Sequence, residues 1–154
     1  MKGKKTVIQQ LNKVLTYELT SINQFFLHAR MFGNWGFQAL NTKAYKKSIQ
    51  DMKQADKLIE RILLLEGLPN LQQLERLRIG ETPAEMLAAD QSFICDQLPL
   101  LQAAIALCEN EQDYVSRELL QEILEDEEEY LDWLDTQIQL TENLGMQNYL
   151  QSMT

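Results

Sequence analysis

An all-α fold is what this 154-residue sequence predicts: a four-helix bundle with one long crossover between its second and third helices and a short fifth helix. Three observations carry that expectation. Apolar residues recur with a period near 3.6 along almost the whole chain. No segment alternates apolar and polar residues as a half-buried strand would. The six glycines and three prolines are few, and apart from Gly3 and Pro99 they fall at the breaks between apolar stripes.

The elements follow in order, within one domain spanning 1–154. The first helix is expected over residues 5–32, on the stripe Leu11, Leu15, Ile22, Phe25 and Ala29, stopped by Gly33-Asn34-Trp35-Gly36. A second is expected over 37–65, ended by Gly67-Leu68-Pro69. Residues 68–81 then make a connection long enough to run from one end of a bundle to the other. Thr82-Pro83-Ala84-Glu85 reopens a helix with a capping box and proline at the first helical position, giving a third helix over 82–108. Pro99 lies inside it, which predicts a local kink where the Cys95 carbonyl loses its partner. A fourth helix is expected over 112–144, closed by Gly145, with 146–152 left for the fifth.

Composition narrows the function. A net charge of -9 and the run Glu125-Asp126-Glu127-Glu128-Glu129 argue against a nucleic-acid surface and suit a protein that handles cations. The longest apolar run, Ala103 to Cys108, is too short to cross a membrane, and Met1-Lys2-Gly3-Lys4-Lys5 does not lead into the apolar stretch of a signal peptide. Cys95 and Cys108 fall about 20 Å apart along one expected helix, too far to bridge. Both read as small core residues, and a cytoplasmic location is expected.

Three carboxylates interrupt the apolar stripes at their midpoints: Glu18, Asp51 and Glu127. A buried carboxylate must be paired, protonated or bound to metal. A di-iron carboxylate bundle takes one Glu from each of two helices and Glu-x-x-His from each of the other two. Here the second helix offers Asp51-x-x-Gln54, the fourth offers Glu127-x-x-Tyr130, and the core position of the third is Ile94. An amide is a poor iron ligand, and a phenol binds iron well only when ionised. A working di-iron centre is therefore not expected. The residues favour a polar knot in which Gln54 and Tyr130 donate to Glu18 and Glu127. One adventitious metal ion between Glu18 and Glu127 is the alternative they leave open.

The first two helices carry a second stripe on another face: Leu19, Ile22, Asn23 and Phe26 on one, Tyr45, Ile49 and Met52 on the other. A helix apolar on two faces is buried on two sides, so this stripe needs a second subunit or a flat ligand. Taken alone, Met52 reads as packing. His28, the single histidine, lies off the Glu18 face and reads as an interface or packing residue.

The chain as a whole resembles the bacterioferritins. The likeness rests on residues 22–32 (INQFFLHARMF), 59–71 (IERILLLEGLPNL), 113–117 (DYVSR) and 147–151 (QNYLQ). The resemblance implies a ferritin-like bundle in a hollow shell of 24 subunits that stores iron as a ferric mineral. It also implies heme b held between two subunits, with Met52 of each as axial ligand and Leu19, Ile22, Asn23, Phe26, Met31, Tyr45 and Ile49 lining the pocket. Active relatives carry Glu where this chain has Glu18, Asp51, Ile94 and Glu127, and His at Gln54 and Tyr130, so only Glu18 and Glu127 match. A tyrosine beside the centre is Phe25 here, and inner-surface iron ligands are replaced by Lys46 and Gln50.

The implied role is a heme-bearing subunit without ferroxidase activity of its own, assembling with a ferroxidase-active partner. The alternatives are oxidation by a modified route through Glu18, Asp51, Glu127 and Tyr130, and a purely structural shell subunit. Leu68, Pro69, Asn70, Glu81 and Glu85 match the positions where relatives dock a bacterioferritin-associated ferredoxin, whose electrons release stored iron.

Overall fold

The computed structural model describes all 154 residues. Helix α1 (Lys5–Asn34) and α2 (Gln38–Leu64) form one hairpin, and α3 (Pro83–Asn110) and α4 (Tyr114–Leu144) form the second. The hairpins close on each other chiefly through α1 on α3, and α5 (Met146–Ser152) folds against α4. No helix is long and apolar enough to cross a membrane.

The helix ends follow local chemistry. Beyond α1, Gly36 takes a positive φ of 86°, and Gly145 does the same at 80° between α4 and α5, a conformation that favours glycine. Thr82 caps α3 by accepting from the Glu85 amide, while the Glu85 carboxylate accepts from the Glu81 amide instead of closing the box on Thr82. α4 starts two residues later than expected because Asp113 is its N-cap, accepting from the amide and hydroxyl of Ser116. Arg61 of α2 reaches across to both residues, at 2.8 Å from Asp113 and 2.9 Å from Ser116. Helix α3 continues through Pro99, which sits on an exposed face where water can serve the freed carbonyl.

Burial opposes ionisation of Asp113, but Ser116 and Arg61 outweigh it and hold the carboxyl below its ordinary 3.8. Its contribution is therefore complete above the unfolded pKa and disappears as pH falls through the lowered folded value. Asp113→Ala is expected to cost roughly 1–2 kcal/mol at neutral pH and much less in acid. Urea unfolding at pH 7 and pH 3 checks both.

The core is two apolar halves. One gathers Leu11, Leu15, Leu58, Ile62, Leu101 and Leu120, and the other Phe25, Phe32, Met86, Phe93, Leu134 and Tyr149. Glu18, Asp51 and Glu127 occupy the waist between these halves, each fully buried.

The crossover from Leu65 to Thr82 opens with a turn and then runs on with neither helix nor sheet partner. Four of its amides are held by a row of side chains on one face of α1. Asn12 accepts from the Asn70 amide, Thr20 from Glu75, Gln24 from Arg78 and His28 Nε2 from Gly80. Asp90 on α3 holds the far end, accepting from Gln24 Nε2 and His28 Nδ1 at 2.9 and 2.8 Å. His28 is thus a packing residue with a specific duty.

Candidate functional site

At the waist the side chain that unites the carboxylates is Lys47. Its ammonium lies 2.5 Å from Asp51 Oδ1 and 2.7 and 2.9 Å from the two oxygens of Glu127. Both partners and Lys47 itself are buried. The rings of Phe25 and Tyr130 stand 5.4 and 5.5 Å from Nζ, within range of cation–π attraction. Ser21 donates to the other Asp51 oxygen, and Gln97 of α3 donates to Glu18 Oε1 at 2.8 Å. Glu18 Oε2 has no partner.

The charges explain one another. Burial alone would discharge Lys47, but Asp51, Glu127 and Glu18 outweigh it and hold the ammonium above lysine's ordinary pKa. Burial likewise works against the acids: Glu127 is pushed up to about 7, Asp51 is raised, and Glu18 is raised well above its usual value. One ammonium cannot balance three carboxylates. Of the three, Glu18 lacks a cation in contact, and its unpartnered oxygen suits a neutral carboxyl.

This donor set does not fit a di-iron centre. Ile94 lies fully buried in the apolar half beside Phe25 and offers no ligand. Burial, then Asp90, Asp51 and Glu127, push the Tyr130 phenol well above 10, so it stays protonated and packs edge-on to Phe25. The expected polar knot exists, but with other donors: Gln54 bonds Asp126, not the central carboxylates, and Lys47, Ser21 and Gln97 take the places assigned to Gln54 and Tyr130. Lys47 was recoverable from sequence, since it lies one turn before Asp51 on the inward face. Gln97 likewise lies one turn beyond Ile94.

A second feature lies on the outer face of the α1–α2 hairpin. Met52 is 54% exposed, with Phe26 and Tyr45 also exposed, while Leu19, Ile22, Met31 and Ile49 are half-buried around them. Asn23 is exposed on the same face, and Arg30 stacks over the rings of both Phe26 and Tyr45. An exposed thioether among apolar and aromatic walls offers a soft sulfur donor on a surface that suits a flat, largely apolar ligand.

The crossover presents a third feature. Leu68 is 84% exposed, and Asn12 braces its turn by donating to the Leu68 carbonyl and accepting from Asn70. Pro69 is half-buried and Asn70 exposed, while Glu81 and Glu85, both exposed, bond to each other at the other end of the segment. Of the cysteines, Cys108 is buried, where desolvation pushes its thiol up to about 11; Cys95 is exposed, contrary to expectation, because it shares the solvent face of α3 with Asp96 and Pro99.

Comparison with known proteins agrees with this architecture. The ferritin-like domain family matches residues 8–144. The bacterioferritin of Mycobacterium bovis is 44% identical over 149 residues, covering 97% of this chain and 94% of that protein. A bacterial ferritin of Synechocystis is 44% identical over 153 residues, with 99% and 98% covered. The bacterioferritin of Brucella melitensis is 42% identical over 149 residues, with 97% and 92% covered.

Proposed function

The chain belongs to the bacterioferritins, iron-storage members of the ferritin-like family, and from that premise we propose that it is the heme-bearing kind of subunit, without a ferroxidase centre of its own. One contrast between neighbouring residues carries the reading. Asp51 is fully buried and bound by Lys47 and Ser21, whereas Met52 is exposed on an apolar face that nothing in the chain covers. The side chain that a metal centre would need is occupied. The one that a heme would need is free.

Two copies of the α1–α2 face brought together around a two-fold axis would place one Met52 on each side of a heme. Leu19, Ile22, Phe26, Tyr45 and Ile49 exclude water, with Asn23 and Met31 at the margins. Heme bound there supplies a one-electron relay, and thioether ligands favour its ferrous state. The subunit takes its place in a 24-subunit shell beside a ferroxidase-active subunit, which loads the iron. The braced turn Leu68-Pro69-Asn70, with Glu81 and Glu85, is the docking surface for a bacterioferritin-associated ferredoxin whose electrons mobilise it.

The test is stopped-flow oxidation of Fe(II) by the chain expressed and assembled alone. The expected trace has no rapid phase that saturates with iron per subunit. A rapid saturating phase, lost in Glu18→Ala, would establish the modified-route alternative and overturn the proposal.

A further inference from the structure

The waist holds more than the loss of a metal centre. We propose that Lys47 is the resident cation of a one-ion site: its ammonium stands where a divalent cation would stand, and excludes one. The inference rests on the reading that the chain has no ferroxidase centre, and it names what took the centre's place.

The geometry is that of a chelated ion. One oxygen from each of Glu18, Asp51 and Glu127 lies within 4.8 Å of the others, the separation of opposite ligands around an oxygen-bound cation at about 2.4 Å. Lys47 Nζ contacts Asp51 on one side and both oxygens of Glu127 on the other. Two oxygens in the same chamber have no hydrogen-bond partner: Glu18 Oε2, and Gln97 Oε1 on the amide that donates to Glu18. Both residues are fully buried. Lysine satisfies the two carboxylates within its reach and leaves these oxygens unserved.

The lysine is also a plug. Its stem lies at the base of a cleft of about 410 Å³ lined by Lys43, Lys46, Gln50, Asp126 and Glu129, which opens to solvent between α2 and α4. Removing the side chain therefore does two things: it withdraws the competing charge and joins the cleft to the carboxylates. The all-oxygen donor set selects a hard cation, for which Mn2+ is a suitable probe.

The experiment titrates Mn2+ into assembled wild-type protein and Lys47→Ala, following free Mn2+ by electron paramagnetic resonance and the melting temperature in parallel. The expected result is one additional Mn2+ per chain in Lys47→Ala, bound at least tenfold more tightly than the surface acids bind it. That ion should be lost in Lys47→Ala/Glu127→Gln, and Mn2+ should raise the melting temperature of Lys47→Ala alone. Lys47→Ser, which keeps a hydroxyl for water, repeats the comparison if the alanine variant does not assemble. Equal Mn2+ binding by wild type and both variants overturns the inference, as does an assembled variant without the additional ion. Rapid Fe(II) oxidation by the wild type would instead overturn the proposed function, leaving the Mn2+ comparison to judge Lys47 separately.

Discussion

Lys47→Met is expected to destabilise the chain by roughly 3–5 kcal/mol, more than loss of an equal volume of apolar side chain would explain. The substitution keeps the length of the stem and its packing against Phe25 and Tyr130, so little cavity forms. What goes is the ammonium that Asp51 and Glu127 share at 2.5 to 2.9 Å. Two buried carboxylates then face each other and Glu18 without a cation, and must take up protons or water to remain buried. Replacing Glu127 as well, in Lys47→Met/Glu127→Gln, removes part of that uncompensated charge. Its cost should fall below the sum of the single costs, and a double-mutant cycle from denaturant unfolding measures the difference.

Asp90→Ala is expected to loosen the crossover, at roughly 1–3 kcal/mol for each of the two buried donors it leaves unpaired. Asp90 Oδ1 accepts from both Gln24 and His28, and so fixes which way each side chain faces. Only in that orientation do Gln24 Oε1 and His28 Nε2 accept the amides of Arg78 and Gly80. Hydrogen exchange should accelerate at Arg78 and Gly80 in the variant, while the Asn70 amide, held by Asn12, keeps its wild-type rate. Uniform acceleration across the crossover would show that the row on α1 does not act bond by bond.

Both effects concern residues that apolar patterning passes over. The helices were legible because stripes such as Leu11, Leu15, Ile22 and Phe25 are long and their breaks are marked by glycine and proline. The carboxylates were legible because they interrupt those stripes. Lys47 escaped because a lysine beside Ser48 and Lys46 looks like surface, and only the neighbouring Asp51 one turn away betrays an inward side chain. The row Asn12, Thr20, Gln24 and His28 shares one face of α1 at multiples of four residues. Its meaning depends on a crossover with no regular structure of its own, whose path no periodicity encodes. Asp113 was hidden likewise, since its capping role is completed by Arg61 from another helix. The Met52 face was visible as a second stripe, and its exposure is what a single chain must show if another copy covers it.

The reading of the chain turns on Met52, and the most direct measurement is heme uptake. Assembled wild-type protein, reconstituted with hemin and reduced, should show the absorption bands of a six-coordinate heme with two thioether ligands, saturating at one heme for every two chains. Met52→Leu, which keeps the apolar face and removes the sulfur, should lose those bands. The same spectrum at the same stoichiometry in Met52→Leu would contradict the account.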